Sequence, residues 1–140
     1  MSEPVLQIEQ VTKRYPGADA PITVLDGVSV QLHRGETLAL TGESGSGKST
    51  LLHLAGGLDA PDAGHVRLMG HDLSALSDGA RARVRGRHAG LEFQQFNLVP
   101  SLTVAANVAI QARMSGRHDP AHDAGLIERL GLSALTHRYP

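Results

Sequence analysis

The sequence has no cysteine and no tryptophan, and only two tyrosines and two phenylalanines among 140 residues. Without cysteine the chain can form no disulfide and offers no thiolate, which fits a reducing compartment. Because aromatic residues make up only 3%, the core must be built from leucine, valine, isoleucine and alanine. The length suits one modest domain or part of a larger one.

An excess of charge is also missing, because 13 lysines and arginines stand against 14 aspartates and glutamates. Binding to a phosphate backbone needs a surplus of basic residues, so no nucleic-acid partner is expected. No apolar run approaches the roughly 20 residues that span a bilayer, and residues 1–4 do not begin a signal peptide. We therefore expect a cytoplasmic protein that reaches a membrane only through a partner.

The hydrophobic pattern predicts small β elements first, then a strand–loop–helix unit, and then helices. Strands are expected over residues 5–11, 24–32, 37–41, 64–69 and 91–93. Helices are expected from Lys48 to about Ala55, over 78–87, from Leu102 to Gly116, and up to Gly131. This order indicates an α/β protein with a mixed N-terminal sheet that feeds an α/β core.

Residues 42–49 read GESGSGKS and match the pattern G-x-x-x-x-G-K-[ST] without a mismatch. Glycines at 45 and 47 permit backbone angles that other residues avoid, so successive N–H groups can surround anionic oxygens. The helix that begins at Lys48 adds the positive end of its dipole. In a loop of this kind the Lys48 ammonium reaches the β- and γ-phosphates, and the Ser49 hydroxyl binds Mg²⁺.

A chance match in a flexible turn is the alternative interpretation of this glycine loop. The apolar strand at 38–40 and the helical residues 50–52 are, however, the flanks that a phosphate-binding loop requires. We therefore interpret the segment as a nucleotide-binding site. Its candidate residues are Gly42, Glu43, Ser44, Gly45, Ser46, Gly47, Lys48, Ser49 and Thr50.

Further short motifs occur in a characteristic order around the glycine loop. They are KRY at 13–15, VLDGV at 24–28, GGLDAP at 56–61, GHV at 64–66 and FQQFNLVP at 93–100. Together they resemble the ATP-binding subunits of ABC transporters, from about residue 5 to residue 140. GGLD and FQQFNLVP are similar to the branch that serves lipoprotein release and macrolide export.

The resemblance implies the fold and the division of the chain. We expect an α/β fold, the P-loop NTPase (ABC ATPase) core, as a fragment with an N-terminal antiparallel β subdomain and the start of a helical subdomain. The β subdomain and P-loop core would occupy about 1–93. The Q-loop and the start of the helical subdomain would occupy about 94–140.

The resemblance also implies roles for residues outside the glycine loop. Tyr15 resembles the aromatic residue that stacks on adenine, an interaction worth ~1–3 kcal/mol; an ordinary half-buried tyrosine is the alternative. Gln94 resembles the Q-loop glutamine that ligates Mg²⁺ and senses the γ-phosphate, with Gln95 or a plain polar loop residue as alternatives. Lys48 and Gln94 are thus the catalytic candidates, Ser49 and Gln94 the metal ligands, and ATP and Mg²⁺ the cofactors.

Partners and location follow from the same resemblance. It implies a transmembrane permease subunit, a homodimer of ATP-binding domains in the full-length protein, and a position on the inner face of the cell membrane.

Motifs for turnover are missing from the printed residues. The sequence has no LSGGQ signature and no four apolar residues ending in aspartate. Phosphoryl transfer needs a carboxylate for the Mg²⁺ shell and a group that orients water, so we expect a fragment that alone hydrolyses ATP poorly. The alternative is a nucleotide-responsive interaction protein in which ATP only orders a docking surface. A GTPase or small-molecule kinase is disfavoured, since the guanine motif Asn-Lys-x-Asp and a convincing arginine-rich lid are absent.

Glu92 departs from the family pattern, which usually has an apolar residue there. Burying an unpaired carboxylate is costly. We therefore expect Glu92 to lie near one of Arg83, Arg85 or Arg87, or at a partly open strand edge.

The histidines and arginines are interpreted as ordinary surface or core residues. None of the eight histidines has a standard metal-ligand spacing, and Pro120 separates His118 from His122. The arginines at 81, 83, 85 and 87 alternate, so a solvated face is expected, with contact to a partner as the alternative.

Overall fold

The computed structural model describes residues 3–140, which divide into two compact units at residue 91. The first unit contains β1 (Leu6–Tyr15), β2 (Ile22–Leu32), α1 (Lys48–Ala55), β3 (Ala63–Leu68), β4 (His71–Asp72), a 3₁₀ turn (Leu73–Ala75) and α2 (Asp78–His88). The second unit contains α3 (Val104–Met114), α4 (Pro120–Arg129) and a 3₁₀ turn (Ser133–Leu135). Within residues 3–140, no helix has the length and apolar character needed to cross a membrane.

The first unit is built on a four-stranded antiparallel sheet in the order β2–β1–β3–β4. Ile8 of β1 lies opposite Val30 of β2 and Val66 of β3, which fixes the face that each strand buries. The β1–β3 register shifts between Glu9 and Thr12. At this bulge a Cβ on Gly64 would lie 2.3 Å from the Gln10 carbonyl oxygen, so only glycine fits.

The core of the first unit is entirely aliphatic, as the composition predicted. Its buried members are Ile8, Val11, Leu25, Leu51, Leu54, Val66, Leu68 and Leu73. They come from β1, β2, β3, α1 and the 3₁₀ turn that begins at Leu73, so the sheet and the helix that follows the glycine loop share one core. Full burial stabilises each side chain by ~1.5–3 kcal/mol, which fixes α1 against the sheet.

Both helices of the first unit lie where the sequence predicted them. Helix α1 begins at Lys48 and ends at Ala55, and the N–H of the next residue, Gly56, donates to the Leu52 carbonyl. Helix α2 begins after Ser77, whose hydroxyl accepts a hydrogen bond from the Ala80 N–H. Such an N-cap stabilises a helix by ~1 kcal/mol.

The strands predicted at 37–41 and 91–93 are wrong, because both segments are irregular. A strand exists only where a neighbour completes its hydrogen-bond ladder, and within residues 3–140 no strand pairs with either segment. Leu38 is accordingly half exposed and Phe93 45% exposed. The N-terminal sheet was expected to be mixed. Because neither of these segments joins it as a strand, the observed sheet is purely antiparallel. The prediction that β1 ends near residue 11 is also wrong, since the strand continues to Tyr15.

The second unit depends on polar contacts more than on a core. Among its described residues, Ala109 is the one buried hydrophobic side chain. Asn107 instead donates from Nδ2 to the carbonyls of Val99, Leu102 and Thr103, at 2.9–3.1 Å. Its Oδ1 accepts from the Val99 N–H at 2.8 Å. The side-chain amide of Asn107 therefore binds residues 99–103, the segment before α3, to that helix.

Glu92 is exposed in this second unit. Its carboxylate therefore stays hydrated, and the cost of burial that motivated a partner does not arise. The strand on which a partly open edge was expected does not form.

Three of the histidines in residues 3–140, His33, His65 and His118, lie beside carboxylates. His65 Nδ1 lies 2.9 Å from Asp72 Oδ2, and His118 Nε2 lies 3.0 Å from Asp123 Oδ2. In the part of the chain that the structure describes, no three histidine or acidic side chains lie together as a metal site.

Candidate functional site

The glycine loop, residues 42–49, connects the irregular segment after β2 to the first turn of α1. Gly42, Gly45 and Gly47 have φ angles of 148°, 82° and 91°, in the region that favours glycine. Gly47 is buried against β2, and a Cβ there would lie 2.9 Å from the Val24 carbonyl oxygen. Glycine is therefore needed at 47 both for its backbone angle and for its close approach to β2.

The loop presents backbone donors where α1 begins. The first N–H groups of a helix have no intrahelical acceptor. In α1 the first N–H group with such an acceptor is that of Leu51, which donates to the Gly47 carbonyl at 2.9 Å. Gly47 carries no side chain that could cap the helix. The N–H groups of Lys48, Ser49 and Thr50 are thus available to an anion, with the positive end of the helix dipole behind them.

The Lys48 ammonium lies across the loop. Its Nζ donates to the carbonyl oxygens of Gly42 at 2.8 Å and Glu43 at 2.5 Å, and it lies 3.3 Å from Ser46 Oγ. Within residues 3–140 no carboxylate forms an ion pair with it, so its positive charge is held by neutral oxygens alone. A cation in this position adds to the field of the helix dipole.

The other predicted loop residues surround this ammonium group. Glu43, Ser44 and Gly45 are exposed at the tip of the loop, and the Ser46 N–H closes a turn onto the Glu43 carbonyl at 3.3 Å. Ser49 is exposed and Thr50 half-buried in the first turn of α1. All nine candidate residues at 42–50 therefore lie in one loop and one helix turn, while their roles toward a ligand stay predictions.

Tyr15 lies at the end of β1 in a cluster of side chains that we call the Tyr15 cluster (Lys13, Tyr15, Asp59 and the Ala60 backbone). The Tyr15 ring is about one third exposed, and its hydroxyl donates to Asp59 Oδ2 at 3.4 Å. Lys13 Nζ lies 5.3 Å from the centre of the ring, within cation–π range. The same Nζ contacts Asp59 Oδ2 and the Ala60 carbonyl oxygen, both at 2.8 Å.

Asp59 is held as a carboxylate in this cluster. Partial burial by itself would raise the pKa of Asp59, but hydrogen bonds from Lys13 and from the Ala60 N–H outweigh it and lower the pKa. The charged carboxylate in turn keeps the Lys13 ammonium beside the tyrosine ring. The cluster therefore fixes the position of the ring from one side.

Sequence reasoning missed Lys13 and Asp59 as partners of Tyr15. The motifs KRY and GGLDAP contain them, but nothing local in the sequence indicates contact across 46 residues. The contact arises because β1 and β3 pair, and the chain entering β3 runs beside the end of β1. The Asp62 N–H donates there to the Thr12 carbonyl at 2.9 Å, and the Arg14 N–H donates to Asp62 Oδ2 at 2.6 Å.

Gln94 lies in the second unit, in an exposed irregular segment. Next to it, Phe93 and Phe96 are 45% and 90% exposed. Asn97 has a positive φ of 48°, which asparagine tolerates better than most residues. The magnesium-ligating role of Gln94, with Gln95 as its neighbour, stays a prediction.

A glycine loop of this pattern, followed by a helix start with free N–H groups and a lysine that has no carboxylate partner within residues 3–140, is typical of the P-loop nucleotide-binding proteins. The profile of the ABC transporter family matches residues 25–140. The chain belongs to the ABC transporter family, and the resemblance on which the sequence analysis rested is confirmed.

Curated relatives of the chain are export and release proteins. It is 40% identical to "Macrolide export ATP-binding/permease protein MacB 2" of Aeromonas hydrophila, over all of this chain and 22% of that protein. It is 42% identical to "Lipoprotein-releasing system ATP-binding protein LolD" of Shewanella oneidensis, over all of this chain and 62% of that protein. The chain thus spans between one fifth and about three fifths of the curated relatives it matches.

A solved structure shares the fold. It is titled "Dimeric structure of a post-hydrolysis state of the ATP-binding cassette MJ0796 bound to ADP and Pi" and matches with a TM-score of 0.86 at 30% identity. The match covers 96% of this chain and 61% of that one. The expected ABC ATPase fold with an N-terminal antiparallel sheet is therefore confirmed.

Proposed function

We propose that the chain binds MgATP through the glycine loop, as the ATP-binding part of an ABC export system that couples nucleotide binding and hydrolysis to a membrane partner. The observation that carries the proposal is the Lys48 ammonium, which lies across the loop with no carboxylate to neutralise it within residues 3–140. A triphosphate supplies the negative charge that this arrangement lacks.

Binding exchanges one set of contacts for another at Lys48. The ammonium now donates to two carbonyl oxygens and lies near one hydroxyl. Charge-assisted hydrogen bonds to β- and γ-phosphate oxygens are stronger than those to carbonyls. The free N–H groups of Ser49 and Thr50 hold the phosphates from the helix side, and the three glycines let the loop backbone approach them closely.

Mg²⁺ neutralises phosphate charge when it is bound. The Ser49 hydroxyl suits this ion because it is exposed in the first turn of α1, beside the free N–H groups. Gln94 is proposed as the second ligand on the basis of the FQQFNLVP motif, and as a catalytic residue together with Lys48.

Adenine is proposed to stack on Tyr15. Lys13 lies 5.3 Å from the ring centre on one side, and Asp59 fixes the hydroxyl, so the ring offers its remaining face without having to be ordered first. Pre-ordered contacts lose less entropy on binding.

Partners are proposed from the relatives. One relative is an ATP-binding protein of a lipoprotein-releasing system, another combines ATP-binding and permease functions, and the solved cassette is dimeric. We propose a permease partner, pairing of two ATP-binding domains in the full-length protein, and a position on the inner face of the cell membrane.

A nucleotide-responsive interaction protein without turnover is the second candidate. It is favoured by the absence from residues 1–140 of a run of four apolar residues ending in aspartate, since hydrolysis needs a carboxylate in the Mg²⁺ shell. The two candidates share the binding step and differ in the chemical step.

One experiment separates these possibilities. The affinity of the chain for MgATP is measured by calorimetry, and phosphate release is measured under the same conditions. We expect saturable binding that Lys48→Ala weakens at least about tenfold, while Arg34→Ala, at an exposed turn, leaves it unchanged. Phosphate release is also measured on a longer version of the protein that contains the rest of the ATP-binding domain, because this chain alone is expected to hydrolyse ATP poorly. Release by that version that depends on Lys48 supports the transporter ATPase, and binding without release even there supports the second candidate. A folded chain that binds no MgATP contradicts both.

A further inference from the structure

The side-chain amide of Asn107, in α3, holds the chain on the C-terminal side of Gln94. Its Oδ1 accepts from the Val99 N–H at 2.8 Å, and its Nδ2 donates to the Val99 carbonyl oxygen at 3.1 Å. The same Nδ2 donates to the carbonyl oxygens of Leu102 at 2.9 Å and Thr103 at 3.1 Å. One side chain thus binds both backbone groups of Val99 and two carbonyls of the turn that leads into α3.

The contact with Asn107 lies where the chain passes from exposed to partly buried. Residues 91–98 are all exposed, whereas Val99 is half-buried. We call residues 93–98 the Gln94 segment. Within residues 3–140, no hydrogen bond links the Gln94 segment to another residue. The chain that follows Gln94 is therefore first held at Val99.

The N-terminal end of α3 is a firm support for this contact. The first N–H groups of a helix find no acceptor within the helix. In α3 the N–H groups of Val104 and Ala105 donate instead to the carbonyl oxygens at positions 138 and 136, at 2.8 and 3.1 Å. Asn107 lies in the adjoining turn, so the amide projects from a part of the helix that the chain also holds from its other side.

An amide suits this position better than any other side chain of its size. The Val99 backbone presents one donor and one acceptor, and an amide carries both kinds of group on one plane. A carboxylate accepts from the Val99 N–H but faces the three carbonyl oxygens without a hydrogen to donate. Asparagine is also a poorer helix former than alanine or leucine, so the helix alone gives no reason for it.

We propose that Asn107 is a positioning residue for Gln94, an inference that rests on the proposed function, in which Gln94 ligates Mg²⁺. By fixing Val99, the amide limits how far the Gln94 segment can move, since each further free residue adds about 3.3–3.6 Å of reach. Without the amide, the chain is free as far as Thr103, which caps α3. The ordering of Gln94 then costs more entropy when the nucleotide binds, which weakens the contribution of Mg²⁺ to affinity.

The first test follows the free chain by ¹⁵N NMR relaxation and needs no nucleotide. Asn107→Asp retains the shape of the side chain but removes its donated hydrogen bonds, and a carboxylate near the start of α3 suits the helix dipole. We expect the order parameters of the Val99 and Leu102 amides to fall from about 0.85 to below about 0.6. The amides in the second half of α3 should keep their values.

Two further variants make this measurement decisive. Gln111→Glu makes the same exchange of amide for carboxylate at an exposed position one helix turn further on, and should leave the Val99 amide unchanged. Asn107→Leu removes every hydrogen bond of the amide but favours a helix, so it carries the test if Asn107→Asp does not fold.

The second test asks whether the effect acts through Gln94. Affinity for ATP is measured by calorimetry with Mg²⁺ and with EDTA, and the ratio of the two affinities is the Mg²⁺ effect. We expect Gln94→Ala and Asn107→Asp each to reduce this ratio about fivefold, with affinity in EDTA unchanged. Because Asn107 acts through Gln94, the double variant should lose no more than Gln94→Ala alone. A merely structural role would lower both affinities alike.

Three results would overturn the inference. Unchanged order at Val99 in folded Asn107→Asp and Asn107→Leu would show that the amide does not hold the chain. Additive losses in the double variant would show that Asn107 does not act through Gln94. An unchanged Mg²⁺ effect in Gln94→Ala would remove the ligand role while ATP binding by the glycine loop stands. A folded chain that binds no ATP contradicts the proposed function and this inference with it, and the relaxation data still show whether Asn107 holds the chain.

Discussion

The glycine loop and the Tyr15 cluster are proposed to hold opposite ends of one nucleotide, but they are built in different ways. The loop depends on backbone conformation at Gly42, Gly45 and Gly47, and one side chain, Lys48, completes it. The Tyr15 cluster depends on side chains that the β1–β3 pairing brings together from distant parts of the chain. A site made of backbone tolerates few substitutions at its glycines, whereas a site made of side chains can be weakened in small steps.

Gly47→Ala is expected to have the largest effect. The new Cβ lies 2.9 Å from the Val24 carbonyl oxygen at a φ of 91°, so the loop must move away from β2. Strain of this kind costs ~1–3 kcal/mol, and we expect both lower stability and loss of MgATP binding. Urea unfolding and calorimetry measure the two effects.

Gly45→Ala is the matched control for the comparison within the loop. Gly45 also has a positive φ, 82°, but a Cβ there meets nothing within 4 Å. The Gly45→Ala variant should therefore lose only the free energy of placing alanine at a positive φ, roughly 1 kcal/mol of stability. If both variants are equally mild, the close approach of the loop to β2 is not what shapes the site.

Tyr15→Ala is expected to have the next largest effect, on affinity alone. Loss of base stacking costs ~1–3 kcal/mol, which is about five- to 150-fold in affinity. Tyr15→Phe retains the ring and should stay within about twofold. Inorganic tripolyphosphate, which has no base, should bind both variants like the unchanged chain, and a drop in its affinity for Tyr15→Ala would show that Tyr15 acts through the loop instead.

Lys13→Met tests whether the cluster positions the ring. The substitution removes the cation beside Tyr15 and its contact with Asp59 but retains the length of the buried side chain. We expect a few-fold loss of MgATP affinity with no change for tripolyphosphate, because ion pairs that are partly exposed contribute ~1 kcal/mol or less. Tyrosine fluorescence reports the altered environment of the ring, and an affinity identical to that of the unchanged chain would refute a positioning role.

The smallest expected effect is the change with pH in the free energy of unfolding, to which Asp59 and Asp72 contribute. Burial tends to raise the pKa of Asp59 and of Asp72, but hydrogen bonds lower both below the ordinary value of 3.8. A carboxyl with a lowered pKa in the folded state stabilises the fold above its unfolded pKa, and this contribution is lost as the pH falls through its folded pKa. Stability should therefore decline below about pH 4, and Asp59→Asn should reduce the decline. Urea midpoints measured at several pH values check this.

Much of the candidate site could be predicted from the sequence because its determinants are local. The glycine spacing, the lysine and the helix start lie within residues 42–55, and α1 begins at the predicted Lys48. The helices expected over 78–87 and from Leu102 to Gly116 lie close to the observed α2 and α3, which Ser77 and Thr103 cap from adjacent positions. Local chemistry decides these elements.

The remaining features depend on contacts that no local pattern encodes. The apolar runs at 37–41 and 91–93 have the composition of strands, but a ladder partner decides whether a strand forms. The contact between Lys13 and Asp59 needs the β1–β3 register, and the hydrogen bond from Arg85 of α2 to the Gly57 carbonyl joins residues 28 positions apart. Sequence alone could therefore predict the glycine loop and the helix that follows it, but not how Tyr15 is held.

The most direct test of the central claim is calorimetric titration of the chain and of Lys48→Ala with tripolyphosphate in the presence of Mg²⁺. Tripolyphosphate isolates the glycine loop from the Tyr15 cluster. We predict saturable binding to the unchanged chain, at least about tenfold weaker in Lys48→Ala, with both chains equally stable to urea. Equal affinity of the two folded chains for tripolyphosphate would contradict the claim that the glycine loop and its lysine hold the phosphates.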